Sequence, residues 1–162
     1  MQREKEPESM DAAADVRAFD RSTKSFFLRL FIDNFVDSAL QAGIGEGRVL
    51  DVGTGNGLVP IKMQEKNPRL EIYGVDLSAE MLEQARENLK LSGREGKVRF
   101  TRGDAKNLPF EDDYFDLVTC NHLIHHLDDP VPFFNEVARV LKDGAAVMMR
   151  DVSRPGNRLV LE

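Results

Sequence analysis

The stretch RVLDVGTGNG, Arg48 to Gly57, joins a short apolar segment to three glycines at alternate positions, Gly53, Gly55 and Gly57. Residues 48–52 have the length and composition of a buried strand. Residues 57–65 have a helical pattern, with Pro60 in the first turn, where a missing N–H costs little. Glycines at such a junction let the backbone approach a ligand, and a helix N-terminus attracts negative charge. The stretch therefore predicts a ligand-binding strand–turn–helix unit.

The rest of the chain alternates between strand and helix patterns. The sequence predicts four further strands, at 70–75, 98–101, 115–120 and 145–152. Two further helices are predicted at 78–91, capped by Ser78, and at 132–142, stopped by Gly144. Strands that alternate with helices indicate βαβ units with right-handed crossovers. The predicted fold class is α/β, a doubly wound and mostly parallel sheet with helices on both faces.

The N-terminal region has a different character. Residues 1–20 are predicted to be a polar tail, because MQREKEPES is charged and contains a proline. A helix is predicted to follow, capped by Ser22 or Thr23, ended at Gly43 and Gly45, and with its phenylalanines in the core. Its apolar residues at helical spacing are Phe26, Phe27, Leu30, Phe31, Phe35, Ala39 and Leu40.

Length and composition narrow the classes of protein. A chain of 162 residues suits one domain, predicted over residues 21–162. A net charge of −6 with scattered Lys and Arg argues against a nucleic-acid partner. The sequence contains no run of 18 apolar residues, so no membrane span is predicted. The polar N-terminus is unlike a signal peptide. The single cysteine, Cys120, fits a reducing compartment, so a cytoplasmic location is expected.

The glycine spacing bears on the kind of ligand. Dinucleotide-binding turns read G-x-G-x-x-G, whereas this turn reads G-x-G-x-G and has Asp51 two residues before the first glycine. An acid is badly placed beside a pyrophosphate. An acid at position 51 suits a ligand of cationic character. Alternatively, it orients the turn by accepting hydrogen bonds from the backbone.

LDVGTGNG resembles the first motif of the class I S-adenosylmethionine-dependent methyltransferases. The resemblance continues through YGVDLSAEMLEQAREN, VRFTRGDAKNLPFEDDYFDLV and NHLIHHLDDPVPFFNEVARVLKDGA, and it covers about residues 45–151. It implies a Rossmann-like methyltransferase fold, S-adenosylmethionine as cofactor and methyl transfer to a small-molecule acceptor.

The resemblance also implies roles for individual residues. Asp76, about 20 residues after the glycine turn, would bind the ribose diol, although such an acid can also be a solvated strand end or a helix cap. Asp104 and the N–H of Ala105 would read the adenine edge between the apolar faces of Leu77 and Met81. The turn and Asn121 would line the methionine end, with main-chain N–H groups meeting its carboxylate. The predicted cofactor site comprises Asp51, Gly53, Thr54, Gly55, Asn56, Gly57, Asp76, Leu77, Met81, Asp104, Ala105 and Asn121.

All three histidines lie in NHLIHHLDDP, after the fourth strand. His122 and His125 are the candidates for a general base toward an acceptor that arrives protonated. Packing or cofactor binding is the alternative role. A metal site built from His122, His126 and Asp128 or Asp129 is a further alternative, but the spacing differs from H-E-x-x-H and no metal is expected.

The chain departs from the family at its C-terminus, because the family sheet has seven strands. Either the C-terminal strands are missing, or residues 158–161 return along strand five, or that edge pairs with a second subunit in a homodimer. A non-catalytic S-adenosylmethionine-binding module is the second hypothesis, and an NAD-binding oxidoreductase is the third.

Overall fold

The computed structural model describes residues 9–23 and 25–152. The described strands are β1 (Gly47–Val52), β2 (Leu70–Asp76), β3 (Val98–Arg102), β4 (Phe115–Asn121) and β5 (Leu141–Arg150). The described helices are α1 (Ala13–Thr23), α2 (Phe26–Leu40), α3 (Leu58–Lys66), α4 (Ala79–Ser92) and α5 (Val131–Val140). A single 3₁₀ turn, Ile124–His126, follows β4 in this part of the chain.

The five strands form one sheet in the order β3-β2-β1-β4-β5, and every pair is parallel. The order reverses between β1 and β4, so the chain leaves the carboxyl ends of these two strands in opposite directions. Such a switch point opens a crevice above the sheet, which is where open α/β folds bind ligands. The predicted doubly wound α/β fold is confirmed.

Alternate residues of the central strands face two separate cores. Val49 of β1 and Ile72 of β2 pack with buried residues of α2, α3 and α4. Leu50 and Tyr73, their neighbours, pack on the opposite face with α5. Helices therefore cover both faces, as near-continuous apolar strands require. Because Asp51 shares the face of Val49, its carboxyl group lies on the side of α2 and α3.

The N-terminal region differs from the predicted tail and helix. Residues 13–23 form α1, and the side chains of Val16, Asp20 and Thr23 are buried. Residues 1–8 of the predicted tail lie outside the described residues. The cap of α2 is Ser25, which accepts a hydrogen bond from the N–H of Leu28, rather than Ser22 or Thr23.

The prediction that the phenylalanines of α2 form core is right for one of them and wrong for three. Phe35 is buried, whereas Phe26, Phe27 and Phe31 are 71%, 74% and 64% exposed. Helical spacing identifies an apolar face of α2, but only the C-terminal half of that face packs against the sheet. The N-terminal half of α2 extends past the carboxyl ends of the strands and stands beside the crevice.

The boundary between α5 and β5 also differs from the prediction. The helix ends at Val140 and the strand begins at Leu141, so Gly144 lies within β5 and does not stop the helix. The carbonyl groups of Arg139 and Val140 accept hydrogen bonds from residues 113 and 114, which fixes the helix end. Gly144, at φ +75°, lies in an irregularity where the register shifts between Phe115 and Leu117.

The outer edge of β5 pairs with no strand among residues 9–23 and 25–152. The predicted return of residues 158–161 lies outside the described residues. None of the described helices is long and apolar enough to cross a bilayer.

Candidate active site

A cavity of about 830 Å³ opens at the carboxyl ends of the strands, below α1 and α2. Every residue predicted for the site lines it except Gly57, which packs beneath the glycine turn against Phe100 and Ala85. The predicted cofactor residues and both candidate histidines therefore share one space. Its volume lies in the range of sites that enclose small molecules.

The glycine turn is held by hydrogen bonds within the protein. The N–H groups of Gly53 and Thr54 donate to the carbonyl of Val75, and the N–H of Gly57 donates to the carbonyl of Thr54. The N–H of Gly55 donates to Asp76 at 2.8 Å. These four N–H groups are therefore bonded within the protein, and the meeting of main-chain N–H groups with the methionine carboxylate stays a prediction.

Asp51 is a buried acid at the end of β1, with 2% of its surface exposed. Its Oδ1 accepts a hydrogen bond of 2.7 Å from the Thr119 hydroxyl on β4. Burial raises the pKa of Asp51 to about 7, and the nearby charge of Asp76 adds to the effect. A cation bound beside Asp51 would therefore gain from an ionised carboxylate that burial otherwise disfavours.

Asp76 ends β2 and bridges two turns. Its Oδ2 accepts from the N–H of Gly55, and its Oδ1 accepts from the N–H of Ser78 at 3.0 Å. Burial raises the pKa of Asp76 despite these bonds. Each carboxylate oxygen can accept a second hydrogen bond. Asp76 thus organises the turn and still has acceptor capacity for a ligand hydroxyl. Ser78 caps α4 as predicted, accepting from the N–H of Met81.

Asp104 lies after β3 at the far end of the cavity from the histidines. Its Oδ1 accepts from the N–H of Lys106 at 2.8 Å, which forms a local turn. Leu77 and Met81 line the same region, and Met81 is buried. This end of the cavity combines an acid with apolar side chains, as a nucleobase site requires.

A buried polar network seats α1 on the glycine turn. The side-chain amide of Asn56 donates to Asp20 at 2.9 Å and to the Thr23 hydroxyl at 2.8 Å. Asn88 of α4 donates to Asp20 at 2.8 Å and to the carbonyl of Asn56 at 3.0 Å. Asn56 therefore supports the turn from below α1. Phe19 of the same helix reaches into the cavity above Gly55.

The segment after β4 carries Asn121 and the histidines. Asn121 accepts a hydrogen bond of 3.0 Å from Arg150 at the end of β5, and Arg150 also donates to the carbonyl of Phe31 on α2. His122 has a φ of +60°, and its N–H donates to the carbonyl of Arg150. Burial, followed by the charge of Arg150, lowers the pKa of His122. Arg150 therefore links β4, β5 and α2 around the histidines.

The described residues include no group of three or more His, Cys, Asp or Glu side chains arranged to hold a metal ion. The alternative metal site of His122, His126 and Asp128 or Asp129 thus has no such arrangement in this part of the chain.

Sequence reasoning missed Asp20, Phe19, Asn88, Arg150 and Asp151. Asp20 lies 36 residues from Asn56 and Arg150 lies 29 residues from Asn121, so their contacts exist only after folding. Asp20 lies in a segment whose composition predicted a polar tail, so no role was expected for it. Asp151 could have been found from its position, because a polar residue at the end of one parallel strand lies near the polar residues at the ends of the neighbouring strands.

The comparison with protein families matches residues 50–149 to a family described as a methyltransferase domain. The chain belongs to this family. The ubiquinone/menaquinone biosynthesis C-methyltransferase UbiE of Desulfotalea psychrophila is 35% identical over 72% of this chain and 46% of its own length. The demethylmenaquinone methyltransferase of Deinococcus radiodurans is 37% identical over 69% of this chain and 46% of its own. This methyltransferase-family chain therefore spans about half the length of these curated relatives.

A solved structure has a similar fold. The structure of protein MMP1179 from Methanococcus maripaludis matches with a TM-score of 0.81 at 24% identity, over 93% of this chain and 67% of its own. The predicted family and the Rossmann-like methyltransferase fold are confirmed.

Proposed function

We propose that this protein transfers a methyl group from S-adenosylmethionine to a ring carbon of a small aromatic diol, the reduced form of a quinone. The observation that carries the proposal is the single cavity that joins the predicted cofactor residues to the histidine segment and to apolar side chains of α1 and α2. The curated relatives named for quinone methylation point to the acceptor class.

The acids of the site fit the cofactor better than they fit a dinucleotide. Asp51 and Asp76 are close enough for the charge of one to raise the pKa of the other, and both line the cavity. Two neighbouring carboxylates repel a pyrophosphate and attract an ammonium group. Asp51 would hold the ammonium end of the cofactor, Asp76 its ribose hydroxyls, and Asp104 with Leu77 and Met81 its adenine. When bound, S-adenosylmethionine supplies a methyl group on a positively charged sulfur, whose bond to the methyl breaks with its electron pair staying on sulfur.

Apolar side chains of α1 and α2 that line the cavity suit an apolar acceptor. They are Phe19 of α1 and Leu28, Phe31 and Ile32 of α2. These side chains can exclude water and orient a flat ring by contact area, which is how sites for apolar ligands work. The acceptor must enter as a diol, because the ring of an oxidised quinone is too electron-poor to attack a methyl sulfonium.

His122 and His125 line the cavity at the end of β4 and remain the candidate bases for the acceptor hydroxyl. The homodimer through the edge of β5 and the cytoplasmic location also remain predictions. The second hypothesis, a non-catalytic S-adenosylmethionine-binding module, uses the same cofactor residues and predicts no turnover.

A direct assay separates these two functions. The protein is incubated with methyl-labelled S-adenosylmethionine and 2-prenyl-1,4-naphthalenediol, kept reduced by dithionite. We expect the label on ring carbon 3, with one S-adenosylhomocysteine formed for each product. The matched control is the diol already methylated at carbon 3, which should accept no label. Cofactor binding without transfer to the unmethylated diol would favour the non-catalytic module.

A further inference from the structure

His125 and Asp151 form a close pair inside the cavity. His125 lies in the 3₁₀ turn after β4, and Asp151 directly follows β5. The two side chains are each 16% exposed, and Nδ1 of His125 lies 2.5 Å from Oδ1 of Asp151. The backbone N–H of His125 donates to Oδ2 of the same carboxylate at 3.2 Å. One carboxylate therefore holds both the ring and the main chain of His125.

This arrangement selects one form of the imidazole ring. Burial acts to raise the pKa of Asp151, but the hydrogen bonds from His125 and from the N–H of Val152 outweigh it and lower the pKa. An ionised carboxylate only accepts, so Nδ1 of His125 must carry the proton. In neutral His125 the basic lone pair is then on Nε2. The second bond, donated by the backbone N–H of His125, fixes the main chain that carries the ring.

The surroundings of His122 differ from those of His125. The strongest charge acting on His122 is the cation Arg150, which together with burial lowers its pKa. The ring of His126 lies 4.0 Å from the ring of His125, and that of His122 lies 6.2 Å away. The titratable and charged groups near His125 include Asp151, Arg150, His122 and His126. Asp151 is the group in this set that stabilises an imidazolium at His125.

We propose that Asp151 is a positioning residue that holds His125 as the base for the acceptor hydroxyl. This inference rests on the proposed function. The O–H bond of the acceptor breaks, its proton goes to Nε2 of His125, and the electron pair stays on the acceptor oxygen. The anionic oxygen raises electron density on the adjacent ring carbon, which forms the bond to the methyl group. That carbon then loses its hydrogen to water as a proton, and His125 returns its proton to the oxygen, so one proton is released per turnover.

The test compares Asp151→Asn, Asp151→Glu and His125→Gln with the unmodified protein, using the naphthalenediol assay. We expect His125→Gln to lower kcat by about 10²- to 10⁴-fold, the usual contribution of a general base. Asp151→Asn should lower kcat by about 10- to 100-fold and move the acid limb of the kcat/KM profile to lower pH, because the imidazolium loses its counter-charge. Asp151→Glu should restore part of the rate. The Kd for S-adenosylmethionine should stay within about threefold throughout.

The matched control is Asp129→Asn, which removes one negative charge from the same loop. Asp129 is exposed and accepts the N–H of Val131, a bond that asparagine can keep. The Asp129→Asn variant should have the kcat and the pH profile of the unmodified protein. An Asp151→Asn variant with the rate and pH profile of the unmodified protein would overturn the proposal, as would equal rate losses in the Asn and Glu variants with no change in the pH profile.

Nitrogen-15 NMR of the imidazole rings keeps the inference testable if the diol is not methylated. Failure of the unmodified protein to methylate the diol contradicts the proposed function, whereas the tautomer of His125 bears on the pair alone. We expect the Nδ1–H tautomer at neutral pH in the unmodified protein and in Asp151→Glu. An Nε2–H tautomer in the unmodified protein would contradict the role of Asp151.

Discussion

Replacing Gly57 with alanine is expected to destabilise the protein by about 2–5 kcal/mol. Gly57 has a φ of +76°, where an alanine costs about 1–2 kcal/mol. An added Cβ would also lie 2.6 Å from Cζ of Phe100 and 2.9 Å from Cβ of Ala85. The Phe100 ring cannot move away easily, because a Cβ on Gly74 would lie just 2.7 Å from the same ring, so little room exists there either. Overpacking of this kind adds about 1–3 kcal/mol. Urea unfolding measures the total.

Gly93→Ala is the matched control, since Gly93 has a φ of +68° with nothing within 4 Å of the added Cβ. It should lose only the backbone contribution, about 1–2 kcal/mol. Equal losses at Gly57 and Gly93 would show that the glycine turn is not packed against Phe100 as described. The comparison tests why the third glycine is needed although it does not line the cavity.

The second large effect is a pH dependence of stability caused by Asp51. Its pKa is about 7 in the folded protein against an ordinary value of 3.8. Between these values the folded protein keeps a proton that the unfolded chain has lost. The free energy of unfolding should therefore fall as pH rises from about 4 to 7, by at most about 4 kcal/mol for this group. Asp51→Asn cannot ionise and should reduce this fall, with the remainder belonging to Asp76, whose pKa burial also raises.

Asp116→Asn is the control for this experiment. Burial acts to raise the pKa of Asp116, but hydrogen bonds from the N–H of Arg48 and from Lys142 lower it below its ordinary value. Asp116 therefore titrates below the window and its substitution should leave the fall in place. An Asp51→Asn variant that retains the full fall between pH 4 and 7 would show that Asp51 is not the buried acid that controls it.

The same titration connects Asp51 to cofactor binding. An ammonium group beside Asp51 favours the carboxylate, so S-adenosylmethionine should release a proton when it binds near pH 7. Calorimetry in buffers of different ionisation enthalpy measures this proton. Asp51→Asn should bind without releasing it, and proton release of equal size in both proteins would exclude Asp51 as its source.

The sequence predicted the central fold well because its signals are local. Strands β1, β2 and β4 are mostly buried and appear as short apolar runs. Ser78 and Gly93 mark the ends of α4 in the sequence itself. The errors arose where long-range contacts decide. Helix α5 ends at Val140 because residues 113 and 114 bond to its last carbonyls, and α1 forms against α4 and the glycine turn despite its polar sequence.

The candidate site shows the same division. Residues at the carboxyl ends of parallel strands, such as Asp51, Asp76 and Asn121, were predictable because topology brings those ends together. Which atoms they bond could not be predicted. The carboxylate of Asp76 binds the glycine turn itself, and Asp151 pairs with His125 at a separation of 26 residues along the chain. Periodicity places side chains on an element but does not specify pairs between elements.

Calorimetric titration of the protein with S-adenosylmethionine, and separately with NAD, tests the central claim most directly. We expect one S-adenosylmethionine bound per chain and no NAD binding. The affinity for S-adenosylmethionine should be about 10- to 100-fold weaker in Asp76→Asn, the loss expected for charge-assisted hydrogen bonds. Binding of NAD by the folded protein, with none of S-adenosylmethionine, would contradict the account.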